Sequence, residues 1–402
     1  LTLSAGQLLL VKGKDPASFT LYSTPLLLQF NQQEVQKTIV QINKTADDFS
    51  VYFSSFDLAL ISKVSPLFIV AKNTRELLST LDINGQASEL YFKKTAEDIQ
   101  ALASFTNTST KYSHGIPGVD NLSGTLSLSE QNLHVNIAAI QGALDFNKHF
   151  IAPIPYQSIA ATIDLSFVNS DWQLHVNDLA LSSDELELSA NLVVDSPKDG
   201  QVSMSLLANV KDGDASKAHH YYPLTTMSPN LVDYLNGALI DGKIKQAQVL
   251  LNGPLVKFPF ADHSGVFIVD AELEEAKFKF SADWPAINAF SANLNFTSNS
   301  MLITGRAGEL VGLDVSGVQA AIDDLANEQL LTVDTLIEPT SATHVANLMA
   351  QSPLKNSVGS VLQQLQVSGD IDGEFHLNLP LKATEKVIST GSINFANNSV
   401  AL

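Results

Sequence analysis

The chain has 402 residues, 45% apolar and only 16% charged, with 42 acidic against 23 basic side chains and a formal net charge of −19. So acidic a chain without a basic stripe repels phosphate backbones, which argues against nucleic acid as a partner; any lipid contact must come from apolar burial. Cysteine is absent, which excludes disulfides, thiolate chemistry and cysteine metal sites.

The longest strongly apolar runs, such as Leu26–Leu28 and Leu67–Ala71, fall far short of the ~20 residues a spanning helix needs. The chain starts at Leu1 without Met and stops soon after the turn-like Asn397-Asn398-Ser399, so both ends read as cut from a longer protein.

In chain order, the first ~110 residues are the least regular, judged by periodicity. Pro66–Leu81 is ambiguous, and Thr95 is predicted to cap a helix carrying Ile99 and Leu102, with Asp98 in its first turn. Beyond Lys111, period-2 alternation dominates. Leu186, Leu188, Ala190, Leu192 and Val194 share one face; Val202, Met204, Leu206, Ala208 and Val210 repeat the pattern after a Pro197–Gly200 turn. Further alternating sets are Ile163/Leu165/Phe167, Trp172/Leu174/Val176, Ala276/Phe278/Phe280, Leu294/Phe296 and Phe375/Leu377/Leu379.

A loose repeat links these sets: an apolar-x-apolar pair, a short polar turn, then a returning strand. Leu126-Ser-Leu128 leads to Leu133-His-Val135, Leu165-Ser-Phe167 leads through Asn169–Asp171 to Trp172-Gln-Leu174, and Leu294-Asn-Phe296 leads through Ser298–Ser300 to Leu302. The spacing is too irregular for a fixed-length solenoid. Three further short helices are predicted: one capped by Ser228, with Pro229 at its first position and Gly237 as its stop; one capped by Ser341, carrying Val345, Leu348 and Met349; and Val358–Leu365. No low-complexity linker divides the chain, and the stretches 1–110, 111–218, 219–300 and 301–402 are expected to form one continuous architecture.

Catalytic chemistry is hard to find. None of the nine histidines has a metal-binding spacing. His219-His220 would point in opposite directions on an extended chain, and His134, His175 and His376 alternate with apolar neighbours, which puts them on a polar face. Gly237–Ile244 imitates a phosphate loop, but Ile244 stands where the magnesium-binding hydroxyl belongs, and the segment follows a helix rather than a strand. Glu272 and Glu274 read as a solvated face and Asp323-Asp324 as a turn. The expectation is a non-enzyme with no cofactor and no metal.

Two arrangements satisfy such strands. In a sandwich, two apolar faces cover each other. In a single curled sheet, one apolar face stays open as a trough. A trough suits acyl chains, each buried methylene contributing about 0.8 kcal/mol without any specific polar contact. The fold expected here is mainly β: a long antiparallel meander forming an elongated, curled sheet with an open groove and a few short helices.

Two blocks carry a family resemblance. Ile116-Pro-Gly-Val-Asp-Asn-Leu-Ser-Gly-Thr-Leu-Ser127 is similar to a PG-x-x-x-LSG-x-LS element, and Tyr222–Ile287 carries YLxGALxxGxIxxAxxLLxGP at Tyr234–Pro254, FPF at Phe258–Phe260, GxF at Gly265–Phe267 and Asp-Trp-Pro at Asp283–Pro285. Both resemble the YhdP family, AsmA-like and TamB-like envelope proteins of Gram-negative bacteria. The resemblance implies a periplasmic β-groove, held at the inner membrane by an N-terminal helix outside this sequence. Its implied work is to move phospholipid between inner and outer membranes and so maintain the permeability barrier, with phospholipid acyl chains as partner and no catalytic residues.

The groove would be lined by Ile163, Leu165, Phe167, Leu174, Val176, Leu186, Leu188, Leu192, Val202, Met204, Leu206, Phe278, Phe280, Leu294, Phe296, Phe375, Leu377 and Leu379. The competing reading is a non-transporting envelope scaffold or tether that binds other proteins through its β-surface.

Overall fold

The computed structural model describes residues 2–15, 17–30, 33–64, 72–168, 171–325, 327, 329–356, 358–365, 367–395 and 398–400. It is mainly β, and the chain divides into two compact units.

The first unit comprises Leu1–Asp184 and Ser189–Val202. Its strands are β1 (Thr2–Ala5), β2 (Leu8–Lys12), β3 (Phe19–Ser23), β4 (Leu26–Phe30), β5 (Gln33–Thr38), β6 (Val40–Lys44), β7 (Phe49–Asp57), β8 (Asn84–Lys94), β9 (Ile99–Thr110), β10 (Gly118–Ser129), β11 (Asn132–Asp145), β12 (Ile154–Val168), β13 (Asp171–Ser182) and most of β14 (Glu187–Ser196). Two short helices, α1 (Ile61–Val64) and α2 (Lys72–Leu81), lie between β7 and β8. Strands β1, β4 and β5 form a small separate sheet. Strands β2, β3 and β6 to β13 pair antiparallel, each with the next.

The second unit comprises Glu185–Leu188 and Ser203–Leu402. It holds β15 (Ser203–Asp214), α3 (Pro229–Ala238), β16 (Leu239–Pro254), β17 (Val266–Phe278), β18 (Ile287–Thr297), β19 (Ser300–Leu310), β20 (Leu313–Asp314), β21 (Gln319–Ile322), β22 (Leu330–Ser341), α4 (Ala342–Ala350), α5 (Val358–Leu365), β23 (Val367–Ser368), β24 (Asp370–Pro380), β25 (Ile388–Phe395) and β26 (Ser399–Val400). Pairing again follows chain order, and the short β20 turns back on β19 before β21 joins it. The antiparallel sheet is not closed into a barrel.

The strands bend at bulges. Residues with left-handed φ recur on neighbouring strands: Glu89, Asn107, Asn121, Gln141 and Asp178 in the first unit, Glu275 and Ala289 in the second. Most coincide with a slip in register, the mark of an extra residue in one strand. Each bulge kinks its strand and increases the local twist, and a series of them curls a sheet. The next strand often supplies a partner for the displaced amide. Ser123 Oγ accepts from the Asn107 N–H at 3.3 Å, Asn191 Oδ1 from Asp178 at 3.0 Å, and Ser291 Oγ from Glu275 at 3.2 Å. Buried Tyr156 donates to the Asp120 carbonyl at 2.8 Å beside the same line. Gly142 is required there, because a Cβ would stand 2.1 Å from that carbonyl oxygen.

Three of the four predicted helices form. Ser228 Oγ accepts from the Leu231 N–H with Pro229 opening α3, which runs one residue past Gly237 to Ala238. Ser341 caps α4, whose Val345 and Leu348 are buried, and α5 spans Val358–Leu365. The ambiguous stretch resolves at its end as α2; positions 65–71, like 169–170 of one predicted turn, lie outside the described residues.

The helix expected after Thr95 does not form. Thr95 Oγ1 accepts from the Asp98 N–H at 2.9 Å and its own N–H donates to the Asp98 carbonyl, which closes a hairpin turn and sends Ile99 into β9. Leu102 then lies on the opposite face from Ala101. The return from Leu294-Asn-Phe296 forms as a hairpin into β19, with Phe296 opposite Met301, Leu294 opposite Ile303 and Leu302 opposite Asn295.

Candidate functional site: the apolar face of the sheet

Residues directly opposite on paired strands share a face, so the register can be followed across each unit. In the first, one row runs Leu10, Leu21, Ile42, Val51, Phe92, Ala101, Leu128, Leu133, Leu165, Leu174, apolar at every step across ten strands. Beside it on the same face run Ala103, Leu126, Val135, Ile163 and Val176. In the second unit the row Val210, Ala247, Ala271, Leu294, Ile303, Ala320, Val333, Leu377 crosses eight strands. A neighbouring row holds Ala208, Val249, Val269, Phe296, Met301 and Ile322.

The other face carries continuous polar rows. In the second unit Lys211, Gln246, Glu272, Asn293, Thr304, Gln319, Asp334, His376 and Thr390 oppose one another in turn. In the first, Ser104, Thr125, Asn136, Thr162 and Asn177 do so. Over these rows the sheet is amphipathic, while Leu9, Tyr22, Tyr52, Tyr91 and Leu102 in the first unit and Leu207 and Leu250 in the second place apolar and aromatic side chains on the wetter side too.

The apolar rows are not sealed. All eight residues of the long row in the second unit are half-buried, as are Ile42, Phe92, Leu128, Leu133, Leu165 and Leu174 in the first. A sandwich core would bury them. Filled patches reach into them: Val51 of the first row is buried with Ile42 and Phe92 packed beside it, and Leu294 and Ile303 of the second row pack against another cluster. Leu26 joins Val40 and Val51, and Phe56, Leu58, Leu60 and Ala87 form a second cluster. Ala342 and Val345 of α4 cover Ile371. A further large cluster gathers Ala215, Leu273, Ala276, Ile287, Phe290 and Ala292.

The predicted lining residues separate accordingly. Ile163, Leu165, Leu174 and Val176 form one half-buried patch, with Phe167 exposed at its margin opposite Trp172. Leu206, Leu294, Phe296, Leu377 and Leu379 lie on the apolar face of the second unit, as does Met204 opposite Gly253. Phe278 and Phe280 pack against the large cluster, Phe278 stacked on Phe290 with centroids 5.7 Å apart. Phe375 is exposed opposite Thr335, and Leu186 is buried while Leu188 and Leu192 are half-buried. Val202 is half-buried and precedes β15. Sequence alternation missed Leu10, Leu21, Ile42, Val51, Phe92 and Val333. In Leu8-Leu9-Leu10-Val11 and Val51-Tyr52-Phe53 both faces carry apolar or aromatic side chains, which hides the period of two.

Histidines occupy the polar face, as the alternation predicts. His134 Nδ1 lies 2.6 Å from Asp164, and His376 Nδ1 lies 2.5 Å from Asp334. The Asp334 hydrogen bond, with its charge, raises the pKa of His376 above the ordinary histidine value. A raised folded value means that the pair's stabilising effect is complete below the unfolded pKa and is lost as pH rises through the folded one. Titration of His376 by NMR is expected to give a midpoint above that of a free histidine, lowered by Asp334→Asn. An unshifted wild-type midpoint would refute the pairing.

His219 and His220 are not extended. Asp214 caps a 3-10 turn at Ala215–Tyr221, which places the two rings 4.2 Å apart with His220 2.9 Å from Glu185. Among the described residues no group of His, Asp or Glu side chains could hold a metal ion. Glu272 and Glu274 both approach Lys245, at 3.6 and 3.2 Å, as a charged surface does. A cavity of about 340 Å³ opens at the bulges between Asn107, Asn121, Ser123, Ile140 and Ile159, and no charged side chain lines it. No helix among the described residues is long and apolar enough to cross a membrane.

No solved structure matches the chain. It is 28% identical over 362 residues to the intermembrane phospholipid transporter YhdP of Escherichia coli (strain K12), an alignment covering 89% of this chain and 28% of that relative. The chain therefore spans little more than a quarter of the length of the curated protein it matches. The profile of the family described as YhdP protein matches residues 1–402, and the chain belongs to the YhdP family.

Proposed function

We propose that this chain is a periplasmic section of a bridge-like lipid-transfer protein, its apolar face shielding phospholipid acyl chains while head groups remain in water. One observation carries the reading: unbroken apolar rows across ten and eight paired strands, whose residues are half-buried except for exposed Leu10 and buried Val51. Hydrocarbon binds such a surface through area alone, at roughly 25 cal/mol per Å² removed from water. The name of the Escherichia coli relative supports phospholipid as cargo and the envelope as location. In this reading the full-length protein is anchored in the inner membrane by a segment outside this sequence, and transfer needs no catalysis by the chain. Native mass spectrometry of the purified chain is expected to show bound phospholipid. A chain that purifies without lipid, and takes up none from vesicles, would sink the reading and favour a protein-binding scaffold.

A further inference from the structure

One margin of the apolar face in the first unit carries a row of lysines. Two residues beyond the ten-strand row, on the same face, the register places Lys12 opposite Phe19, Phe19 opposite Lys44, Lys44 opposite Phe49, Phe49 opposite Lys94, and Lys94 opposite Ile99. Lysine and apolar residues thus alternate across six strands. Neighbouring lysines are two strands apart, about 10 Å. In a chain of net charge −19 this concentration on a face otherwise apolar calls for a cause.

None of the three lysines forms an ion pair among the described residues, whereas Lys72, Lys111, Lys245 and Lys257 all do. The adjoining turns also carry carboxylates: Asp15 accepts from the Ala17 N–H at 3.1 Å, Asp98 accepts from Gln100 Nε2 at 3.0 Å, and Asp48 is half-buried after Lys44. Asp47 and Glu97 are exposed. Lys44 and Lys94 are half-buried, as expected where an aliphatic stem covers apolar ground and the ammonium reaches the wet edge.

We propose that this margin seats the phosphate of a glycerophospholipid between neighbouring ammonium groups of the row Lys12, Lys44 and Lys94, while its acyl chains lie on the adjoining apolar row. The site rests on the conduit reading and adds to it a polar determinant that area alone does not supply. Phosphate matches the charge of the lysines, and a ligand anionic at one end and apolar over the rest matches the two rows side by side.

The test offers the 402-residue chain equal amounts of dioleoyl phosphatidylglycerol and dioleoylglycerol in vesicles and quantifies the bound lipid. Wild type is expected to prefer the phospholipid roughly tenfold, the sum of three partly exposed contacts, with the preference falling at high salt. Replacing all three residues (Lys12→Gln, Lys44→Gln, Lys94→Gln) should remove the preference while leaving dioleoylglycerol uptake intact, which also reports that the variant folds. The triple arginine replacement should retain it. Equal uptake of the two lipids by wild type, or an unchanged preference in the glutamine variant, overturns the site and leaves the conduit standing. Uptake of neither lipid removes both. Competition by glycerol 3-phosphate as strong as that of the lipid would make this a free-phosphate site and overturn the proposal.

Discussion

Aspartate in place of Leu165 is expected to abolish bound phospholipid while the sheet stays folded. Leu165 lies within the ten-strand row, between Leu133 and Leu174, and is half-buried. Full burial of a leucine contributes about 1.5–3 kcal/mol, so its partial loss should cost the fold on the order of 1 kcal/mol. The effect on an acyl chain is larger, because a carboxylate facing hydrocarbon has neither water nor a partner, a penalty of several kcal/mol. Bound lipid should fall more than tenfold. Met204→Asp in the second unit should behave alike, since Met204 is half-buried on the corresponding face of its own unit. Ser127→Asp, on the polar face opposite His134, is the control and should leave lipid binding unchanged. Native mass spectrometry reads the lipid and chemical denaturation reads the fold. Equal losses of both would show that Leu165 is ordinary core.

The largest stability loss is expected at Phe260. Its ring is fully buried beneath the connection between β16 and β17, against Gly253 and Gly265. A Cβ on Gly253 would come within 2.8 Å of that ring, so backbone and side chain have no slack. Phe260→Ala leaves a cavity that such a tight turn cannot close, and should cost about 3–5 kcal/mol. Phe258, two residues earlier, is exposed at 37% and meets Phe260 and Phe267 edge-on. Phe258→Ala should cost only about 0.5–1.5 kcal/mol. Trp284 fluorescence, in a Trp172→Phe background, would report unfolding of the second unit alone. Similar midpoints for the two alanine variants would contradict this packing.

Much of the fold is legible in the sequence because strand periodicity is strict. The pairings Leu128 with Leu133, Leu126 with Val135 and Leu165 with Leu174 are those the repeated apolar-x-apolar pattern calls for. Capping chemistry is equally local, and Ser228 and Ser341 start their helices where expected. Thr95 shows the limit of local reasoning. A threonine followed by an aspartate three residues later closes a hairpin turn as readily as it caps a helix, and the strands on either side decide between them.

Alternation by itself determined that the chain builds amphipathic antiparallel strands, because side chains on a strand point to opposite faces in turn. Whether the apolar face stays open or plugs against a second layer is a tertiary matter, since both arrangements use the same pattern. Cross-strand register aligns apolar residues over ten strands, and the packing around them leaves most of that row half-buried. Register also set three isolated lysines in one row, a neighbourhood that residues up to 82 positions apart in the chain could not announce. Bulges, set by backbone at positions such as Glu89 and Ala289 that favour no left-handed turn, likewise followed from the sheet around them.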